Sequence, residues 1–405
     1  MSFYKRAGTP ASFNPFLLIL PLSILMILSG CAQYDNEVGG SLVDNEVTGE
    51  LKDTLFQVDR VAMMTRGDLV KLNAANIPLG IQEELTSDIV LRFTEFNALG
   101  DTILEWRSGT LKLFGNGFVD SSETFDPASW SAVVYRIDES WDPIELTNED
   151  TLMMTPLDTI EFITSDPFDS VEVSIDTLTL KSWVEDTLAY GIRISPLPGA
   201  GFLKNFASRL ASNAEKLPVL KIDATFRKGE ETYTDSVVTI YSDVSSFLTS
   251  DSFQVAGDRL YVGAGYSRLM LFHTDFSTLL SNTVSLNKVE VFVHTDSTAV
   301  GMLGETNIFT VAQIRYGWSN SDPDTTTIGS SSSRLFNVSE DTSLVRLDIT
   351  PLARLWVAEP DSNYGVAVRS FNEFTTIGRR AFYDNSADSL LRPVFRVVYT
   401  EFDIP

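Results

Sequence analysis

Histidine, the side chain best suited to proton transfer near neutral pH, occurs only twice in this sequence, at His273 and His294. Each ends a strand-like run, Leu269–Phe272 and Val289–Val293, so both are predicted at strand ends on a solvent-exposed rim. No repeated Ser-His-Asp order, HExxH motif, P-loop or nucleotide fingerprint is present. Carboxylates are abundant, but sequence does not define the separation of about 5–9.5 Å that a glycosidase pair needs. The sequence therefore favours a protein without catalytic activity.

Two carboxylates, Asp322 and Asp324, stand together in a polar stretch that also contains Ser319, Asn320, Ser321 and Thr325. Clustered loop oxygens suit Ca²⁺, which takes about six to eight hard oxygen ligands. The spacing is not that of an EF-hand, and acidic loops are expected in a chain this acidic. A calcium site at Asp322 and Asp324 is one expectation, and an ordinary solvated loop is the alternative.

Several aromatic residues are predicted in or beside loops, where a ring could stack on the face of a sugar. They are Trp141, Tyr316, Trp318, Phe371, Phe374 and Tyr383. The alternative is that these rings cap the hydrophobic core or are simply exposed. Taken together, they are the best candidate ligand-binding surface that the sequence offers.

Cys31 is the only cysteine, which excludes a disulfide within one molecule. It directly follows Leu28-Ser29-Gly30, an apolar run from Phe16 to Leu28, and the basic pair Lys5 and Arg6. The run is shorter than the ~18–20 apolar residues that span a membrane. This order resembles the lipobox of bacterial lipoproteins, in which the cysteine is lipidated and becomes the first residue after cleavage. A plain secretory signal or an uncleaved anchor is the alternative.

On this interpretation, residues 1–30 are a signal peptide and residues 31–50 a flexible tether, rich in glycine and acidic residues. Asp35 and Glu37 follow Cys31 closely, which resembles the surface-export signal of Bacteroidota lipoproteins. Ala32 is not the aspartate that retains enteric lipoproteins in the inner membrane. The resemblance implies an outer-membrane lipoprotein, on the periplasmic side or at the cell surface. Solvated tether acids are the alternative.

The chain after the predicted signal peptide is strongly acidic. Lys5 and Arg6 are the only charged residues among the first 30, so the remainder carries 28 basic and 55 acidic residues. A surface of this sign repels nucleic acid and anionic headgroups at short range. We therefore expect no nucleic-acid partner, and contact with a membrane only through a lipid anchor.

The C-terminal part of the chain occurs twice. Trp183, Tyr190 and Pro218 recur as Trp356, Tyr364 and Pro393, at an offset that grows by one residue per landmark. Nearly every segment after Asp53 alternates apolar and polar residues between turn-forming residues, as strands do. The predicted fold is all-β: two tandem antiparallel jelly-roll-like β-sandwiches, residues 51–228 and residues 229–405, each with one short helix.

Each predicted helix carries one tryptophan, Trp183 in the first copy and Trp356 in the second. In the second helix Thr350 is predicted to be the N-cap, with Leu352, Leu355 and Trp356 on one face. A helix this short is not stable alone, so both tryptophans are predicted to close one end of a sandwich rather than bind a ligand.

The second copy resembles the DNRLRE domain, a β-sandwich of secreted bacterial and archaeal proteins, some of whose relatives are carbohydrate-binding modules. The matching residues are Asp348, Trp356, Asn363-Tyr364-Gly365, Phe382-Tyr383, Arg392-Pro393 and Tyr399. The first copy matches less closely, because Ala189, Leu217 and Ala224 replace the Asn, the Arg and the last Tyr. The matching residues are mainly structural, so the resemblance implies the fold more directly than sugar binding.

Three functions are consistent with these features. The first is a non-catalytic outer-membrane lipoprotein that binds extracellular or cell-surface polysaccharide, with two modules on one tether raising avidity. The second is a structural or assembly subunit that binds another envelope protein. The third is a polysaccharide hydrolase or lyase.

Overall fold

The computed structural model describes residues 49–65, 74–119, 130–143, 146, 151–162, 168–185, 190–199, 201–251, 257–265, 268–279, 284–299, 308–315, 328–337, 343–373 and 375–402. The strands of the first part are β1 (Gly49–Gln57), β2 (Arg60–Thr65), β3 (Asn76–Gln82), β4 (Leu85–Arg92), β5 (Thr102–Phe118), β6 (Trp130–Ile137), β7 (Met154–Phe162), β8 (Ser170–Ile175), β9 (Ile192–Pro196), β10 (Phe202–Ala207) and β11 (Val219–Lys228). Those of the second part are β12 (Glu231–Tyr241), β13 (Val244–Asp251), β14 (Arg259–Ala264), β15 (Arg268–His273), β16 (Val284–His294), β17 (Ile308–Ile314), β18 (Ile328–Asn337), β19 (Leu344–Asp348), β20 (Val366–Ser370), β21 (Gly378–Tyr383) and β22 (Val394–Phe402). The α-helices are α1 (Thr177–Glu185) and α2 (Thr350–Ala358).

The strands pair in antiparallel fashion and bury one face, as their alternating sequences predict. In β8, for example, Val171, Val173 and Ile175 are buried and the residues between them face solvent. The predicted fold class, an antiparallel all-β sandwich with a short helix in each copy, is confirmed.

The two copies share one strand order. The order β12-β11-β5-β8 in the first part corresponds to β1-β22-β16-β19 in the second, and β10-β3-β4-β9-β6-β7 corresponds to β21-β14-β15-β20-β17-β18. One further strand joins each larger group, β13 on β4 and β2 on β15. In the first part, pairing of β5 with β10 joins both groups into one sheet, whereas in the second a single bridge links Thr295 to Phe382.

The first two strands of each copy lie with the other copy. Strands β1 and β2 pair with β22 and β15, and strands β12 and β13 pair with β11 and β4. We call β3–β13 the first sandwich, and β1, β2 and β14–β22 the second sandwich. The predicted division into residues 51–228 and 229–405 therefore does not coincide with the strand pairing.

The physical reason for this difference is a tight turn at the predicted boundary. Lys228 pairs with Glu231, so only Gly229 and Glu230 separate β11 from β12. Gly229 has a φ of 60°, a conformation that glycine adopts without steric cost. The resulting hairpin holds β12 on β11 along its whole length, and β12 cannot then join the second sandwich.

The two tryptophans are buried at equivalent positions of the two cores, as predicted. Trp183 and Trp356 are 2% and 1% exposed. The ring of Trp183 lies 6.5 Å from that of Phe96, and the ring of Trp356 lies 5.9 Å from that of Phe276. Each helix therefore closes its sandwich against an aromatic residue that follows β4 or β15 in the chain.

Two details of α2 differ from the prediction. The helix begins at Thr350, and its N-cap is Ile349 rather than Thr350. The Thr350 hydroxyl instead accepts a hydrogen bond from the Val289 backbone N–H at 2.9 Å, which ties the helix to β16. Leu355 is exposed, because the turn buries Ala353 and Trp356 and directs Leu355 to solvent.

A small set of contacts joins the two sandwiches. The Thr249 hydroxyl in β13 donates to the Gly265 carbonyl at 2.6 Å, and Gly265 is held within the second sandwich because its N–H donates to the Glu373 carbonyl at 2.8 Å. Ile377, from the loop before β21, packs in the core of the first sandwich. Arg379 in β21 is fully buried, and its guanidinium lies 3.9 Å from the Glu83 carboxylate in the β3–β4 turn.

Candidate functional site

The predicted ligand-binding aromatics do not assemble into one described surface. Trp141 is half-buried, and its indole N–H donates to the Tyr190 carbonyl. The Arg92 guanidinium lies 5.8 Å from the centre of its ring. Trp141 packs on a small cluster with Val90 and Leu248 on the outer side of β4 and β13. It therefore covers part of a sheet face, and its role in ligand binding stays a prediction.

Two other predicted aromatics lie in the second sandwich. Phe371 is 52% exposed in the loop after β20. Tyr383 is half-buried at the end of β21, and the Arg259 guanidinium lies 4.0 Å from the centre of its ring. Arg259 is itself fixed by the Asp296 carboxylate at 2.7 Å. One face of the Tyr383 ring thus makes a cation–π contact, and Phe371 is the more exposed of these two rings.

The remaining predicted site residues lie outside the described residues. They are Cys31, Tyr316, Trp318, Asp322, Asp324 and Phe374. Lipidation at Cys31 and calcium binding at Asp322 and Asp324 stay predictions. Among the described ranges, no group of three or more His, Cys, Asp or Glu side chains could hold a metal ion. No helix in the same ranges is long and apolar enough to cross a membrane.

A cleft of about 260 Å³ opens at one edge of the first sandwich, between β7 and β8. Each is an edge strand among the described strands: β7 pairs with β6, and β8 pairs with β5. The apolar lining residues are Ile160, Phe162 and Val171. The polar lining residues are Glu161, Asp169, Ser170, Glu172 and Lys204. The sequence analysis did not single out any of these residues.

Strand alternation explains how the cleft combines an apolar floor with a polar mouth. In β7 Ile160 and Phe162 point into the core, while Glu161 between them faces solvent. Val171 in β8 is likewise directed inward. The Phe162 ring stacks on Trp130 with the ring centres 4.0 Å apart, so a fixed aromatic pair underlies the cleft.

Lys204 is the buried charged residue of the lining. It lies in β10 between Phe202 and Phe206, and alternation places all three side chains on the core side of the strand. Only 1% of Lys204 is exposed, and its Nζ atom lies 5.6 Å from the centre of the Phe206 ring. Lys204 lies between two phenylalanines on the core side of β10, and it places a hydrogen-bond donor at the inner side of the cleft.

The carboxylates around the cleft give it a negative mouth. Lys112 Nζ donates to Glu172 Oε1 at 2.7 Å, and this hydrogen bond and charge hold the pKa of Glu172 below its usual value. Glu161 and Asp169 add two more acceptor groups. With three acidic side chains and one basic side chain, the cleft offers acceptors for hydroxyl or ammonium groups and repels anions.

The second sandwich buries a basic residue at the corresponding position. Lys204 pairs with Leu79 in β3, and Arg380 pairs with Val262 in β14, which is the equivalent strand. Arg380 is 5% exposed. A signal for both residues exists in the sequence, because each basic residue stands two positions before a phenylalanine in a strand that is otherwise buried.

His273, one of the two histidines, lies at the end of β15, mostly buried. Burial, and then the positive charge of Arg60, lowers its pKa below the usual value, while Asp59 acts in the opposite direction. The Asp59 carboxylate lies 3.9 Å from Nδ1. His273 is paired with Arg60 and forms part of the contact between β2 and β15.

Comparison with known proteins gives no functional assignment. No family model matches the chain, and no curated protein matches it. Among solved structures, one match is to the structure of infectious bursal disease virus Gx strain, with 10% identity and a TM-score of 0.14, over 89% of this chain and 78% of that chain. That likeness carries no argument about fold or function. The resemblance to the DNRLRE domain stays a prediction.

Proposed function

We propose that this protein is a non-catalytic, lipid-anchored envelope protein that binds neutral or weakly charged polysaccharide through the cleft between β7 and β8. The observation that supports it is the combination of an apolar floor with Glu161, Asp169, Glu172 and Lys204 around one opening. Sugars present apolar C–H faces and many hydroxyl donors, which such a surface complements. The acidic mouth disfavours strongly anionic glycans unless a cation such as Ca²⁺ bridges the charges.

The test is a binding measurement on neutral and anionic polysaccharides with the mature chain, with and without Ca²⁺. Glu161→Gln keeps the size of the side chain but weakens its acceptor, so affinity for the bound glycan should fall about tenfold. Glu359→Gln is the matched control, because Glu359 is an exposed acid at the C-terminal end of α2 in the second sandwich. Equal affinity of both variants would place the binding site elsewhere.

Membrane attachment is tested separately. Cys31→Ser should prevent acylation and leave the chain unprocessed or released from the outer membrane. A variant that still fractionates with the outer membrane and has an acylated mass would show that Cys31 is not the anchor. This result would not bear on the cleft.

A structural subunit is the second candidate, and one observation favours it. The edge strand β12 exposes Tyr233, Val237 and Tyr241 to solvent, and an edge strand can pair with another chain. If the mature protein retained no glycan but co-purified with an envelope protein, this function would replace the first. Release of sugar fragments during incubation would instead favour the hydrolase or lyase alternative.

A further inference from the structure

The exchanged strands form a segment that recognises a specific site on the second sandwich. Residues 49–65 comprise β1 and β2, and the chain between Thr65 and Ala74 is their covalent link to the first sandwich. All six residues of β2 pair with β15, from Thr65 opposite Arg268 to Arg60 opposite His273. The segment is therefore held by a continuous ladder and not only by its position in the chain.

Side-chain contacts add specificity to this ladder. The Arg396 guanidinium in β22 donates to both carboxylate oxygens of Asp53, with distances from 2.6 to 3.2 Å. The Thr274 hydroxyl donates to the Gln57 carbonyl at 2.7 Å. The Asn385 amide donates to the Val58 carbonyl at 2.8 Å.

Apolar contacts complete the fit. Val58 is buried in the core of the second sandwich, and the Phe56 ring meets the Phe276 ring edge to face at 5.7 Å. Met64 is buried on the opposite side of the same sheet with Leu269 and Leu271. The segment thus supplies core side chains that the second sandwich would otherwise lack.

The same exchange occurs in the opposite direction. Strands β12 and β13 of the second copy complete the first sandwich, with Phe247 and Ile240 in its core. Two copies of one repeat therefore each donate their first two strands to the other. This reciprocal pattern is what a strand-exchanged dimer of a single repeat would show if its two chains were fused.

We infer that a second copy of this chain is a binding partner, and that its residues 49–65 occupy the site formed by β15 and β22. Every contact described above is made by the segment itself, so a donor from another molecule would form the same ladder, ion pair and core contacts. Residues 66–73 link the segment covalently to the rest of its own chain, which gives the segment a high effective concentration at its own site. This link is what favours the donor from the same chain. Shortening this connection should shift pairing towards two chains.

Cross-linking of two single-cysteine chains tests the exchange in the full mature protein. Both chains carry Cys31→Ser, and one carries Asp53→Cys while the other carries Arg396→Cys. The two are unfolded, mixed, refolded together and treated with a short thiol cross-linker. Exchange between chains predicts roughly tenfold more cross-linked heterodimer than a control mixture of Asp53→Cys with Glu172→Cys, an exposed position on the other sandwich.

A second measurement does not depend on cysteine substitutions. Deleting residues 68–71 shortens the connection by up to about 13 Å and should raise the dimer fraction in light scattering at a fixed protein concentration. A chain with both Asp53→Cys and Arg396→Cys should cross-link internally, which checks that these positions face each other. The inference is overturned if the mixture yields no more heterodimer than the control and the shortened chain remains monomeric.

Discussion

The two sandwiches share a strand order but use one pair of equivalent positions differently. In β10 of the first sandwich, Leu203 and Lys204 are both buried, and Lys204 lines the open cleft. In β21 of the second, the equivalent residues are Arg379 and Arg380, which pair with Gly263 and Val262 in β14. Arg379 is directed to the first sandwich, where it meets Glu83. Of these two neighbouring scaffold positions, one therefore lines the cleft in the first copy, through Lys204, and the other contributes to the junction in the second copy, through Arg379.

The comparison separates what the duplicated fold requires from what each copy has acquired. Both copies retain a buried tryptophan on a short helix and a donated pair of strands, which complete the cores. The cleft and the inter-sandwich contacts differ, although they are built on the same strands. We therefore expect equivalent substitutions in the shared elements to lower the stability of both copies alike. Substitutions in the cleft or at the junction should affect only the copy that carries that feature.

The largest effect is expected from the tryptophans. Trp183→Ala and Trp356→Ala should each lower the free energy of unfolding by about 3–5 kcal/mol, because each removes a large side chain from a closed core. Chemical denaturation measures both. Leu178→Ala on α1 is the control, since Leu178 is 77% exposed and its loss should cost less than about 0.5 kcal/mol. A loss below about 1 kcal/mol for only one tryptophan would break the equivalence of the two copies.

The next effect concerns the junction. Gly265 has a φ of 84°, and a Cβ atom there would lie 2.8 Å from Ile377 Cγ1 and 2.9 Å from the Thr376 carbonyl oxygen. Gly265→Ala should therefore cost about 2–3 kcal/mol in unfolding free energy. Gly229→Ala is the control: it also has a positive φ, but no atom lies within 4 Å of the added Cβ, so about 1 kcal/mol is expected. Equal losses would mean that the junction adjusts without cost.

The alternation of apolar and polar residues predicted the fold, because a strand that buries one face must alternate in this way. The recurrence of Trp183, Tyr190 and Pro218 as Trp356, Tyr364 and Pro393 predicted the duplication. The exchange was not predictable in the same way. Asp53–Phe56 and Asp235–Val238 have the same pattern, so either segment could complete either sandwich. Which segment completes which sandwich depends on the tight turn at Gly229 and on the path of the chain. Neither of these features produces a periodic pattern in the sequence.

The sequence specifies the role of a loop aromatic less closely than it specifies the fold. A loop aromatic such as Trp141 has the same sequence signature whether it binds a ligand or covers a sheet, and only its partners Tyr190 and Arg92 distinguish the two. Lys204 did carry a signal, a basic residue in an apolar register. Its proximity to Glu161 and Glu172 depends on how the edges of two sheet regions meet, which a single sequence does not specify.

Lys204→Met sharpens the comparison at the equivalent basic positions. It removes the hydrogen-bond donor but keeps an unbranched side chain, and should weaken glycan binding about tenfold if the cleft is the site. Arg380→Met is the matched control in the second sandwich and should leave that affinity unchanged. Affinity is measured by calorimetry at a temperature where both variants are folded. Equal weakening by both variants would show a general loss of structure rather than the loss of a ligand contact.

The smallest effect concerns the donated strands and depends on pH. Arg92 and Asp243 form an ion pair at 2.8 Å beside the start of β13, and the equivalent residues in the second sandwich are His273 and Asp59. Because burial lowers the pKa of His273 below 6.5, the unfolded chain binds a proton more readily than the folded chain between the lowered pKa and 6.5. Stability contributed by the neutral side chain is therefore present above 6.5 and is lost as the pH falls through that window.

His273→Gln should remove this part of the pH dependence. The urea midpoint of the unmodified chain should fall between about pH 7.5 and about pH 5.5 by more than that of the variant, because only the unmodified chain must protonate a buried imidazole. Asp59, Arg60 and Asp275 also act on this histidine and remain in both proteins. Identical pH dependence would show that His273 accepts its proton at no cost to folding.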